Sequence, residues 1–103
     1  MRLAGQMGAL SNGPNAISGG RHWRTPRFSI VKLETRGGVT GYGECAPLEE
    51  REFAAALEVV KGREATSFEV IRTLLAGPVE AAMGAALLDI TGKLAKAPVY
   101  QVL

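Results

Sequence analysis

Phe28-Ser29-Ile30-Val31-Lys32-Leu33-Glu34-Thr35-Arg36-Gly37-Gly38-Val39-Thr40-Gly41-Tyr42-Gly43-Glu44 is the stretch that decides the fold. Its first half is apolar and β-branched. As a strand it carries Phe28, Ile30, Lys32 and Glu34 on one face and Ser29, Val31, Leu33 and Thr35 on the other. Arg36-Gly37-Gly38 supplies positive-φ positions for a tight turn, and Val39–Glu44 returns as the second strand of an antiparallel hairpin. Upstream, Gly5, Gly8, Gly13, Gly19, Gly20, Pro14 and Pro26 break up residues 1–27. That segment reads as a loop or poorly ordered arm, with a candidate short first strand around Asn15–Ser18.

Downstream of Pro47 the period changes from two to 3.6. Glu49, Glu50 and Glu52 put negative charge into a first helical turn, where the helix dipole favours it. Phe53, Leu57 and Val60 then share one face, and Gly62 follows as a C-terminal cap. Thr66-Ser67-Phe68-Glu69 has the form of a capping box and predicts a short helix to about Leu75. Gly77-Pro78 separates it from a third helix with the stripe Val79, Ala82, Met83, Ala86, Leu87, Ile90 and Leu94, which Ala97-Pro98 is expected to end. An isolated hairpin is marginal in water, so the helices must cover one of its faces.

Composition narrows the function classes. A length of 103 residues suits one domain, and 47% apolar against 21% charged residues is a globular balance. A formal charge of +2 gives no footprint for nucleic acid or an anionic membrane. Cys45 and His22 are each alone in their residue type, so neither a disulfide framework nor a cysteine-based zinc or iron–sulfur site can be built. No apolar run reaches the ~20 residues that span a bilayer. Gly5, Gln6 and Gly8 interrupt any signal-like start, so the chain reads as a reduced, soluble, cytoplasmic protein.

Local motifs each have a structural explanation. Gly41-Tyr42-Gly43-Glu44-Cys45-Ala46 fits the G-x-G-x-x-A dinucleotide fingerprint, but lies in a hairpin's return strand and not between a strand and a helix. Its glycines are better read as admitting a close backbone neighbour. Asp89 and Lys93 form an i, i+4 pair on the third helix, and Gly84 and Gly92 within that helix suggest another element packed closely against it. His22-Trp23-Arg24 is the most site-like cluster, in an expected glycine-rich loop. Cys45 reads as small apolar filler. No acid pair, metal-ligand spacing or nucleophile–base set stands out, so no catalytic or metal-binding residue is assigned.

Three stretches taken together resemble the N-terminal capping domain of the enolase superfamily, in its mandelate racemase/muconate lactonizing enzyme branch. They are Ile30–Glu44 with its Gly41-Tyr42-Gly43-Glu44 strand, Ala86-Leu87-Leu88-Asp89-Ile90-Thr91-Gly92-Lys93, and Ala97-Pro98-Val99-Tyr100-Gln101-Val102-Leu103. The resemblance covers residues 28–103 and implies an α+β fold: an antiparallel β-meander, of which two strands are clear and a third is a candidate, followed by a three-helix bundle. It also implies that the chain is truncated where a C-terminal TIM barrel would begin.

By that resemblance the barrel, absent from this sequence, holds Mg²⁺ and the bases that remove a proton α to a small substrate's carboxylate. By the same resemblance this chain alone is expected to bind no cofactor and not to be catalytic. Acid-sugar dehydratases, racemases, dipeptide epimerases and muconate cycloisomerases share the chemistry, and the full-length enzyme is expected to be a homo-oligomer. The cap's contribution is two loops over the barrel mouth that set substrate choice. They map onto Gly20, Arg21, His22, Trp23 and Arg24, and onto Cys45, Ala46, Pro47 and Leu48. Arg21 or Arg24 would pair with the anionic substrate and Trp23 would pack on its apolar part. Asp89 and Lys93 would be structural. The alternative is a free-standing interaction or assembly module derived from such a cap.

Overall fold

The computed structural model describes residues 10–102, with side chains as far as Lys96. The start of the arm and the apolar side chains of Val99–Leu103 lie outside the described residues. Strands β1 (Ile17–Arg24), β2 (Ser29–Thr35) and β3 (Thr40–Cys45) precede helices α1 (Glu50–Val60), α2 (Phe68–Arg72) and α3 (Pro78–Val102). The sheet is antiparallel in the order β1-β2-β3. This is the expected α+β meander, with the third strand present.

That strand is longer than the sequence suggests. β1 pairs with β2 from Ile17 to Arg24, with one irregularity at Ser18, after which Gly19 and Gly20 sit in register with Glu34 and Leu33. Gly20, read as a breaker, is instead a packing requirement. A Cβ there would stand 2.6 Å from the Lys32 carbonyl oxygen and 2.9 Å from Leu33 Cδ2. Nor are residues 11–17 a loose arm. Ser11 N–H donates to Gly62 O (2.9 Å), Ala65 N–H to Asn15 O (3.0 Å), and Ile17 and Gly62–Arg63 exchange bonds of 2.9 and 3.0 Å. Long-range pairing therefore overrides the local turn propensity.

In the β2–β3 turn only Gly38 takes positive φ, at 95°. At the start of α1, Glu49 N–H donates to Glu52 Oε1 at 2.8 Å, and Gly62 (φ 82°) follows its end. Phe53, Ala56 and Val60 are the fully buried face of α1, with Leu57 only partly buried beside it. The expected Thr66–Glu69 box does not form: Thr66 donates its hydroxyl to Glu64 Oε2 at 3.0 Å, and α2 stops at Arg72.

Val79, Ala82, Met83, Ala86, Leu87 and Ile90 of α3 are buried against the sheet, with Val31 and Leu33 facing them. The helix passes Pro98, where an end was expected. A proline removes one N–H donor and crowds the carbonyl one turn back, but its fixed φ is helical, so the backbone can continue at a local cost.

Candidate functional site

Two connections meet at one end of the sheet. The β1–β2 link is a tight turn whose Thr25 Oγ1 accepts from Phe28 N–H (3.0 Å) and Arg27 N–H (3.2 Å) and donates to Phe28 O (2.9 Å). The β3–α1 link, Ala46–Glu49, starts from Cys45, which is paired with Ser29 at the foot of β2. Ser29 is fully buried, and its Oγ accepts Leu48 N–H at 2.8 Å, tying the second link to the first strand pair. Sequence reasoning passed over Ser29. The available signal was a small hydroxyl on the apolar face shared by Val31 and Leu33.

The expected first loop is not a loop, and strand alternation divides its residues. Register places Arg21 beside Lys32 and Trp23 beside Ile30 on the sheet face turned away from the helices, where Trp23 and Tyr42 are exposed. His22 and Arg24 point to the helix side. The His22 side chain is only 5% exposed, stacks on Phe53 at 5.1 Å between ring centroids, and has Nε2 3.2 Å from Ser29 Oγ. Arg24 Nη1 lies 4.0 Å from Glu49 Oε2, and both side chains are more than half exposed. The structure thus brings Arg24 and His22 to the same sheet end as Cys45 and Pro47, and leaves Arg21 and Trp23 on the opposite face.

Leu48 is fully buried in the core, so its side chain offers no surface to a ligand. Cys45 is partly buried, and its thiol donates to the Ala46 carbonyl at 3.1 Å. Burial, then the Glu52 and Glu44 carboxylates, push the thiol above its ordinary value. It is a weak nucleophile. Among the described residues, no three of His, Cys, Asp and Glu gather into a group able to hold a metal ion. No described helix is long and apolar enough to cross a membrane.

The glycines of the return strand are explained by α3. A Cβ at Gly41 would meet the Ala86 carbonyl oxygen and stand 2.7 Å from Ile90 Cγ1, and one at Gly43 would meet the Ala82 carbonyl oxygen. Asp89, from the adjoining turn of α3, accepts Tyr42 N–H at 3.0 Å. Lys93 Nζ donates to Thr40 O at 2.7 Å and lies 3.5 Å from Asp89. The helix motif therefore satisfies backbone groups of edge strand β3, and strand and helix motifs form one structural unit. A Cβ at Gly84 would stand 3.2 Å from Arg72 Cδ, whereas one at Gly92 would have nothing within 4 Å.

The family model for the mandelate racemase/muconate lactonizing enzyme N-terminal domain matches residues 10–103. The chain belongs to that family. This N-terminal domain is 37% identical over 94 aligned residues to a D-mannonate dehydratase from Xanthomonas oryzae pv. oryzicola (strain BLS256), covering 74% of this chain and 22% of that protein. Among solved structures it resembles a mandelate racemase/muconate lactonizing enzyme from Roseiflexus sp. (TM-score 0.64, 21% identity, 78% of this chain and 30% of that one). It also resembles an enolase from Agrobacterium radiobacter, provisionally assigned as a galactarate dehydratase, with bound Na and L-malate (TM-score 0.67, 23% identity, 78% and 25%). At these identities the structures speak for the fold alone. The domain spans 22% of the dehydratase and no more than 30% of either solved chain.

Proposed function

We propose that this domain is the specificity cap of a larger enzyme that removes the proton α to a carboxylate, with acid-sugar dehydration as the reaction. The observation that carries the reading is the relationship to D-mannonate dehydratase, in a domain whose two connections converge at one sheet end. Racemisation, epimerisation and cycloisomerisation belong to the same chemical class. In this reading Mg²⁺ and the bases sit in a C-terminal barrel, where the metal supplies charge stabilisation for the deprotonated carboxylate. The full-length enzyme is proposed to be a cytoplasmic homo-oligomer.

The chain's own part is to bind and to exclude water. The Thr25–Phe28 turn and the Ala46–Glu49 link form the rim. Arg24 is its cation for an anionic substrate, because an exposed pair at 4.0 Å from Glu49 is worth little and is readily exchanged for a ligand carboxylate. Cys45 and Pro47 shape the rim, and Leu48 anchors it from beneath. Arg21 and Trp23 would reach a substrate only around the β1 edge, so they are the weaker candidates.

The test is to purify the complete gene product with Mg²⁺ and offer it D-mannonate, other sugar acids and dipeptides in deuterated water. Water loss from a sugar acid with α-proton exchange is expected. A natural product no longer than this chain, or exchange activity in the 103-residue chain alone, would overturn the reading.

A further inference from the structure

Behind the proposed rim, His22 Nδ1 makes no hydrogen bond among the described residues, although the side chain is 95% buried, and Glu50 Oε1 at the start of α1 lies 3.5 Å away. On the other side of the ring, Nε2 is 3.2 Å from Ser29 Oγ. The Ser29 oxygen already accepts Leu48 N–H, and among the described residues its two side-chain partners are that amide and His22. Its hydroxyl hydrogen is therefore best used by donating to His22 Nε2. In the neutral ring the proton must then sit on Nδ1, facing the Glu50 carboxylate. The opposite tautomer would aim a bare ring nitrogen at that carboxylate and leave the buried Ser29 hydrogen without an acceptor.

We infer that His22 is a positioning residue: a ring with its proton on Nδ1 that links Glu50 on α1, through Ser29, to the Leu48 amide and so holds the Ala46–Glu49 link in place. The relay is Leu48 N–H to Ser29 Oγ, Ser29 O–H to His22 Nε2, and His22 Nδ1–H towards Glu50. Glu50 is 83% exposed, so its side chain is free to turn towards Nδ1. Stacking on Phe53 keeps the ring plane fixed. His22 thus acts on the rim from beneath and does not touch a ligand. The consequence for substrate choice rests on the cap reading, whereas the relay itself does not.

The relay can be read directly because the chain contains one histidine. Two-bond ¹H–¹⁵N correlations of the ¹⁵N-labelled chain, at a pH where the ring is neutral, assign the tautomer. Nδ1–H is expected; free imidazole side chains favour Nε2–H, and finding that form would overturn the inference. Glu50→Ala alters an exposed side chain and should raise the Nε2–H population, while an unchanged tautomer would sever the link to α1. His22→Phe keeps the stack and removes both nitrogens, so Leu48 amide exchange should rise about two- to tenfold, the factor one ordinary hydrogen bond supplies. Unchanged exchange would overturn the link to Leu48. If His22→Phe does not fold, the tautomer measurements still decide. None of these readouts depends on catalysis, so a wrong cap assignment and a wrong relay are distinguishable.

Discussion

Gly43→Ala tests the seat of α3 on the sheet. The added methyl would point at the helix backbone, against the Ala82 carbonyl oxygen, with the Ala82 carbonyl carbon at 2.8 Å and its Cα at 3.1 Å. None of these atoms can rotate away, so the helix must lift by about an ångström. Ala82, Met83, Ala86, Leu87 and Ile90 all lose contact together when it does. Overpacking of this kind costs roughly 1–3 kcal/mol. The relief of replacing a strand glycine returns about 0.5–1 kcal/mol. Backbone collision belongs at the upper end of the first range, which leaves a net loss of about 2 kcal/mol. For a domain of this size that lowers Tm by roughly 8–16 °C. Gly19→Ala is the control, since a Cβ there has nothing within 4 Å and its φ is not positive; it should be neutral or slightly stabilising. Urea and thermal unfolding of both variants give the comparison. A Gly43→Ala protein within about 0.5 kcal/mol of the wild type, the spread of ordinary surface substitutions, would refute the close seating of α3 on β3.

Asp89→Ala removes the acceptor of the Tyr42 amide and the partner of Lys93, and should cost about 1–2 kcal/mol in urea unfolding, more than the loss of an isolated surface ion pair. Cys45 should be alkylated more slowly than a free thiol at neutral pH, and Glu52→Gln should speed the reaction by removing a neighbouring negative charge. Because folding raises this thiol's value, the folded state binds the proton more tightly. The stability it contributes is full below the unfolded value and is lost as pH rises through the folded one, which alkaline unfolding of Cys45→Ala against wild type will show. Arg24→Ala should change stability by less than about 1 kcal/mol, yet raise KM for a sugar acid about tenfold or more in the complete enzyme, the loss expected for one charge-assisted contact.

The hairpin and the long helix were legible because each is a local pattern: alternation in Ser29–Thr35, a 3.6-residue stripe from Val79 to Ile90. β1 was not, because its glycines look like breakers until the neighbouring strand is known, and the Gly62–Ala65 segment that ties down its start lies far along the chain. The same blindness affected the candidate site. His22, Trp23 and Arg24 form a cluster only on paper, because a strand sends alternate side chains to opposite faces. Cys45 and Pro47 were singled out only by their position after the Gly41–Glu44 strand, and they are rim residues in the proposed reading. Ser29, which holds that rim, carries no motif.

Gly41-Tyr42-Gly43 shows why a motif needs its context. In a dinucleotide site such glycines admit a pyrophosphate to the backbone, and in β3 they admit the backbone of α3. The physical requirement, a missing Cβ at a close approach, is the same, so the spacing alone cannot tell the two uses apart. What separates them is the acceptor set around the glycines. Here Asp89 takes the Tyr42 amide and Lys93 takes the Thr40 carbonyl, so two outward hydrogen-bonding groups of the edge strand, on either side of Gly41, are already engaged by α3. A phosphate at this strand would have to displace a carboxylate and lift a helix whose buried stripe closes the core. The strand and helix motifs are therefore one device for docking α3. That docking fixes β3, and through Cys45 and Ser29 it sets where the rim can stand.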